Sequence, residues 1–136
     1  MGVIALDSNI FIRALDDHGP LGEKSRTFLK ELRETTPTVF ISVMVLEEFF
    51  VKVYKTGREK DFDSILDFIT LGGLAQLVDV NKQIALLTAK IRADYHIKAP
   101  DALHLASAID VVAKIFITTD RRLPRKIGKL TVKVLS

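Results

Sequence analysis

The 136-residue sequence contains no cysteine. It can therefore form no disulfide, no thiolate metal site and no cysteine nucleophile, and a reducing compartment is permitted. It also has no apolar run near the ~18 residues that cross a bilayer, and no basic segment of the secretion-signal type opens it. From these absences we expect a cytoplasmic protein that has no membrane partner.

Length and composition predict a single domain spanning residues 1–136, with the balance of apolar and charged residues typical of a globular protein. The net charge is only +3, but six bases with no intervening acid lie in the last sixteen residues. Such a segment suits contacts with phosphates, although a solvated surface is the commoner explanation. The six bases are Arg121, Arg122, Arg125, Lys126, Lys129 and Lys133.

Short apolar runs alternate with segments of helical spacing along the whole chain. Residues 3–6 form an unbroken apolar run that ends at Asp7, after which apolar residues recur at helical intervals. The same alternation continues to a last predicted strand at 131–135, which we place at the edge of the sheet. This order predicts an α/β protein with a mostly parallel sheet of about five strands in a three-layer α/β/α sandwich.

Three aspartates stand where strands end or helices begin. Asp7 and Asp120 each follow an apolar strand, and Asp101 opens a helix directly after Pro100. Ligands of open parallel sheets bind at the carboxyl ends of the strands, so these carboxylates should share one cleft. Each also has a simpler explanation, because Asp7 and Asp101 suit helix capping and Asp120 suits a loop.

Two glutamates follow the predicted helix cap at Ser42. Glu48 has Lys52 four residues later, which predicts an ion pair on the surface. Glu47 has apolar neighbours one turn before and one turn after it, so we predict that Glu47 points into the cleft. An equally simple interpretation is that Glu47 lies at the edge of the apolar stripe and reaches water.

Four carboxylates in one cleft would need compensation. Two such charges about 5 Å apart repel by roughly 3 kcal/mol at an effective dielectric constant of 20. Protonation or a divalent cation relieves this repulsion, and an all-oxygen ligand set favours Mg²⁺ or Mn²⁺. Such an ion suits phosphodiester hydrolysis. The four predicted ligands and catalytic residues are Asp7, Glu47, Asp101 and Asp120.

Four segments together resemble the PIN-domain family, and most closely its VapC-type ribonuclease toxins of toxin–antitoxin pairs. They are VIALDSN at 3–9, ISVMVLE at 41–47, PDALHLA at 100–106 and FITTD at 116–120. None is specific alone, but their order and spacing cover the whole chain. Thr119 departs from the pattern, because Asn or Asp is frequent at its position.

The resemblance implies an endoribonuclease that depends on Mg²⁺ or Mn²⁺ and uses the same four acids. It also implies an RNA substrate, a cognate antitoxin and a homodimer. Asn9 and Thr118 match polar positions that support the acids, and Ser42 is expected to join them. We expect Arg121 and Arg122 to contact the RNA backbone, because they directly follow Asp120.

Other functions remain open on the sequence. A dehalogenase-type phosphatase needs a second aspartate where Asn9 stands, and a receiver domain needs an acidic pair where Ser8 stands. The stronger alternatives keep the same fold: a non-catalytic module that binds RNA or protein, or an RNA-processing nuclease that is not a toxin. His104 is expected to be a packed helix residue.

Overall fold

A computed structural model describes residues 2–136 and contains one six-stranded sheet. Each strand is short and is dominated by β-branched or other apolar residues, as buried parallel strands are. The strands are β1 (Ile4–Leu6), β2 (Val39–Ser42), β3 (Ala75–Val78), β4 (Ile115–Thr118), β5 (Lys126–Ile127) and β6 (Leu130–Val134).

Six helices connect the strands, and single 3₁₀ turns precede and follow the fourth helix. Within residues 2–136, no helix combines the length and the apolar character that crossing a membrane requires. The helices are α1 (Ser8–Asp16), α2 (Pro20–Thr35), α3 (Met44–Lys55), α4 (Phe62–Ile69), α5 (Lys82–Tyr95) and α6 (Ala99–Asp110).

The strand order is β3-β2-β1-β4-β6-β5, and every neighbouring pair is parallel except β5 with β6. The predicted strand at 131–135 is present as β6, but its predicted position at the edge of the sheet is wrong. A two-residue strand, Lys126–Ile127, pairs with β6 and occupies the edge instead. Sequence patterning did not predict β5, because two residues are too few to show a period.

Helices cover both faces of the sheet, which gives the predicted three layers. Successive strand residues point to opposite faces, so Ile4 and Leu6 pack against α1–α4 while Ala5 packs against α5 and α6. On β4, Ile117 and Phe116 divide between the two cores in the same way. The α/β sandwich with a mostly parallel sheet is therefore confirmed.

Candidate active site

Asp7 lies at the carboxyl edge of the sheet, where β1 and β4 run side by side. Leu6 pairs with Ile117, so the residues that follow both strands leave the same edge. Asp7 is buried, and its Oδ1 accepts the backbone N–H of Ser8 at 2.8 Å, which caps α1. The capping role expected for Asp7 is thus real, but it engages only one of the two carboxylate oxygens.

The other carboxylate oxygen of Asp7 belongs to a hydrogen-bond network that joins the two strand ends. Oδ2 accepts the hydroxyl of Thr118 at 2.8 Å and the side-chain amide of Asn9 at 3.2 Å. Thr118 Oγ1 in turn accepts Asn9 Nδ2 at 3.1 Å and the backbone N–H of Asp120 at 3.0 Å. The structure therefore places Asn9 and Thr118 against the acids, as the sequence predicted.

Replacing Thr118 with Val is expected to destabilise the protein by about 1–3 kcal/mol. Thr118 is fully buried, and its hydroxyl makes three hydrogen bonds, so the valine would leave the Asp120 amide without an acceptor and Asn9 Nδ2 with Asp7 as its remaining partner. Urea unfolding of Thr118→Val and Thr118→Ser measures this loss. Serine retains the hydroxyl, so similar losses in both variants would show that the methyl group matters more than the network.

The structure reverses the predicted roles of the two glutamates on α3. Glu47 is exposed, whereas Glu48 is half-buried and hydrogen-bonds to His104, which also faces Asp7. The predicted ion pair between Glu48 and Lys52 is wrong, because Lys52 pairs with Asp16. Glu48 is therefore the α3 carboxylate that faces Asp7.

The buried stripe of α3 explains this reversal. It consists of Val45, Phe49 and Val53 at intervals of four residues, and Glu48 lies on its flank. Val51, which lies one turn after Glu47, is 42% exposed, so this apolar neighbour does not mark an inward-facing side of the helix. The four-residue spacing of the stripe is the sequence signal that could have identified Glu48.

His104 connects two of the acids from the buried face of α6. Its Nε2 donates to Glu48 Oε1 and lies 3.9 Å from Asp7 Oδ1. The ring is buried, as expected for a packed helix residue, and no partner for its Nδ1 is found within residues 2–136. No local sequence pattern predicts the contact with Glu48, because the two residues are 56 positions apart.

Asp101 and Asp120 line one open pocket of about 230 Å³ beside this cluster. Asp101 lies in the first turn of α6, and Asp120 follows β4. Arg122 donates hydrogen bonds to the Asp120 carboxylate from Nε and Nη2 at 3.0 and 3.1 Å, and its backbone N–H donates a third. Three acids predicted from the sequence, Asp7, Asp101 and Asp120, therefore do come together.

The pKa directions show how strongly these charges interact. Burial raises the pKa of Asp7, and the nearby charge of Asp101 adds to this rise. Burial also raises the pKa of Asp101, followed by the charges of Asp120 and Glu48. Negative charge is therefore crowded in this cluster, as four convergent carboxylates require.

Two internal cations offset part of this negative charge. Burial acts to lower the pKa of His104, but the hydrogen bond to Glu48 and the charge of Asp7 outweigh it and raise the pKa. Burial acts to raise the pKa of Glu48, yet the hydrogen bond from His104 lowers it overall. Arg122 holds the pKa of Asp120 below its usual range.

Hydrogen bonds within the chain engage the other three residues predicted for the site. Ser42 is buried, but its hydroxyl accepts the backbone N–H of Met44 at 3.1 Å and so serves the start of α3. Arg122 is turned toward Asp120, although its side chain is 81% exposed. Arg121 is exposed, and its carbonyl oxygen accepts a hydrogen bond from Arg125.

The donor set fits a hard divalent cation in its chemistry. All four clustered acids offer oxygen ligands. The raised pKa values of Asp7 and Asp101 indicate that a bound cation would stabilise their ionised forms. Across residues 2–136, however, no three His, Cys, Asp or Glu side chains stand together in a ligand arrangement. His104 and Arg122 hydrogen-bond to Glu48 and Asp120, and an ion would use the remaining lone pairs of these carboxylates.

A crowded acidic cluster at the carboxyl edge of a parallel α/β sheet defines a class of domains suited to metal-assisted chemistry. The family model of the PIN domain matches residues 4–129, and the chain belongs to that family. PIN domains are generally nucleases, and they generally use divalent metal ions. Among curated protein sequences, none matches the chain.

Solved structures with this fold align over almost the whole chain. VapBC2 from Rickettsia felis bound to a promoter DNA fragment is 22% identical, with a TM-score of 0.75, and covers 98% of this chain and 99% of that one. DNA-bound VapBC from Salmonella typhimurium is 18% identical, with complete coverage of both chains and a TM-score of 0.73. FitAcB from Neisseria gonorrhoeae is 22% identical, covers 95% of each chain and has a TM-score of 0.67.

Proposed function

We propose that this protein is a metal-dependent endoribonuclease that hydrolyses phosphodiester bonds in RNA. One observation supports this most: carboxylates from four distant segments meet at the carboxyl edge of the sheet, where the pKa values of two are raised. Membership in a family of nucleases agrees with this chemistry. The four proposed ligands are Asp7, Glu48, Asp101 and Asp120.

The ion in this proposal is Mg²⁺ or Mn²⁺, and when bound it would polarise the scissile phosphate and lower the pKa of an attacking water. The residues around the acids keep them in place. Thr118 and Asn9 fix Oδ2 of Asp7, and His104 fixes Glu48. Arg122 places a positive charge beside Asp120, where it can face an incoming phosphate once it leaves that carboxylate.

The biological role that we propose is that of the toxin in a toxin–antitoxin pair acting in the cytoplasm. The similar solved structures include VapBC and FitAcB complexes and a toxin–antitoxin complex from Klebsiella pneumoniae. We accordingly propose a cognate antitoxin and a homodimer as the protein's assemblies.

An apolar groove between α3 and α4 is the surface that we propose for the antitoxin. The groove measures about 290 Å³. Tyr54 and Phe62 on its rim are 54% and 41% exposed, and the ring of Phe62 packs against that of Phe50 at an interplanar angle of 47° with centroids 4.9 Å apart. Exposed aromatic surface of this kind is typical of protein interfaces. Its lining residues are Leu46, Glu47, Phe50, Tyr54, Phe62 and Leu66.

A non-catalytic binding module of the same fold is the second candidate. It is favoured by the partners that Glu48 and Asp120 already have, His104 and Arg122, and by the lack of a three-ligand arrangement within residues 2–136. In that module, the two cations would be permanent counter-charges. RNA would then be bound without being cut.

An assay on labelled single-stranded RNA separates these functions. We expect internal cuts with millimolar Mg²⁺ or Mn²⁺, no cuts in EDTA, and recovery when metal is returned. Binding without cleavage at any metal concentration would establish the non-catalytic module. Co-expression with the product of an adjacent reading frame should relieve growth arrest in a toxin, whereas an RNA-processing nuclease should cause no arrest.

A further inference from the structure

The pocket beside Asp101 and Asp120 contains side chains that the proposed hydrolysis does not use. One wall is formed by the end of α5 and the loop to α6, which contribute Tyr95, His96 and Lys98. Leu123 is buried at this site and supplies apolar surface. The pocket therefore combines two aromatic rings and two cations, Lys98 and Arg122, with the two acids.

This combination matches the chemistry of a nucleotide. Every base has a flat face that stacks on aromatic side chains, and the flanking phosphates attract lysine and arginine. Tyr95 is 39% exposed, and Lys98 and Arg122 are exposed, so all three are open to a ligand from solvent. A small anion would use only the two cations of the pocket and leave the aromatic rings without a partner. A purely apolar ligand would use neither cation.

The backbone of His96, which lines the pocket, has an uncommon conformation. His96 ends α5 in the left-handed region, with φ 57° and ψ 41°, and its N–H bonds to Arg92 O. Glycine is the residue that this helix-ending position favours, because a Cβ there is strained. Thr36, Leu71 and Val112 also have positive φ, and His96 differs from them by its place in the pocket lining.

We propose that this pocket binds one nucleotide of single-stranded RNA next to the scissile phosphate. Its base stacks on the rings of Tyr95 and His96, and Lys98 and Arg122 hold the adjacent phosphates. The strand must be single, because bases within a duplex are already stacked and cannot enter. This inference rests on the proposed endoribonuclease function and adds the substrate class and its contacts.

The decisive variant is His96→Gly. It removes the ring and relieves the backbone strain, so we expect RNA affinity to fall about five- to tenfold while the melting temperature stays the same or rises. Affinity is measured by fluorescence anisotropy with a labelled 12-nucleotide mixed-sequence RNA in EDTA. A purely structural role for His96 predicts the opposite, a lower melting temperature with unchanged affinity, and would overturn the proposal.

Thr36→Gly is the matched control. Thr36 ends α2 in the same left-handed conformation, with φ 45°. It precedes β2 and so lies at the amino ends of the strands, away from the carboxylates. We expect the same relief of strain with no change in RNA affinity. Equal losses of affinity in the two glycine variants would contradict the proposal, because they would reflect general changes in the protein.

Two further variants test the stacking and phosphate contacts separately. Tyr95→Ala should weaken binding about tenfold, and Tyr95→Phe should restore it, because stacking needs only the ring. Lys98→Ala should flatten the slope of log affinity against log salt by about 0.7, the value for one phosphate contact on a single strand. Unchanged RNA affinity in Tyr95→Ala would show that Tyr95 does not stack on a base and would contradict the proposal.

The failure of this subsite can be distinguished from the failure of the nuclease function. Cleavage by wild-type protein together with an unchanged KM in His96→Gly would overturn the subsite and leave the nuclease function intact. If wild-type protein neither binds nor cuts RNA, both proposals fall. Binding of a blunt RNA duplex should be equal in wild type and His96→Gly, and a loss in that variant would contradict single-strand selectivity.

Discussion

Replacing Glu48 with Gln is expected to reduce RNA cleavage by about a hundredfold or more. Loss of a side chain that merely supports a metal ligand typically lowers metal affinity or activity by about 10–100-fold, and Glu48 is proposed as a ligand itself. Gln keeps the size of the side chain but removes the charge. Rates measured at saturating RNA across a range of Mg²⁺ concentrations would reveal the loss.

Glu47→Gln is the neighbouring control for this experiment. Glu47 is exposed and lines the apolar groove between α3 and α4, so its replacement should leave the cleavage rate within about twofold. Glu47→Gln should unfold close to the wild-type temperature, whereas Glu48→Gln should unfold at a lower temperature because the buried His104 loses its charged partner, so rates are compared well below both transitions. A large loss in Glu47→Gln with full activity in Glu48→Gln would refute the assignment of Glu48 to the site.

Addition of Mg²⁺ or Mn²⁺ is expected to raise the melting temperature of the wild-type protein. An ion present at a hundredfold its Kd stabilises the folded state by about 2.7 kcal/mol, or roughly 8 °C for a chain of this size. Asp101→Asn should abolish most of this rise. Thermal unfolding in EDTA and in increasing metal concentrations measures both effects.

In the absence of metal, Asp101→Asn should be at least as stable as the wild-type protein. The pKa of Asp101 is raised because burial and neighbouring negative charges disfavour its ionised form, so removal of that charge relieves repulsion. A carboxylate with a raised pKa contributes stability only at low pH and loses it as the pH rises through that pKa. A lower melting temperature for Asp101→Asn in EDTA at pH 8 would mean that the favourable interaction of Asp101 with the amino end of α6 outweighs this repulsion.

The fold could be predicted because it depends on long-range hydrophobic patterning. The apolar run before Asp7 and the one before Asp120 both became central parallel strands, and their carboxylates emerge at one edge. Segment 131–135 does coincide with a strand, but the short β5 that precedes it pairs with it and takes the edge position. A hairpin of this size depends on local turn geometry and leaves almost no period in the sequence.

The site was less accessible to sequence reasoning than the fold. Choosing between Glu47 and Glu48 required knowing which apolar neighbours are buried, and the exposed Val51 biased that choice. The contact of His104 with Glu48 depends on how α6 packs against α3, which no local pattern specifies. Sequence reasoning therefore found the acids at strand ends and missed the contacts made between helices.

The hydrogen bond between Asp7 and Thr118 joins residues 111 positions apart. Translation at about 5–20 residues per second would add Thr118 roughly 5–20 s after Asp7. During that interval the nascent chain contains Asp7 but lacks the strand that supports it. Chains interrupted before β4 would also lack Asp120, so the proposed nuclease activity would appear only after the last of the four carboxylates has been made.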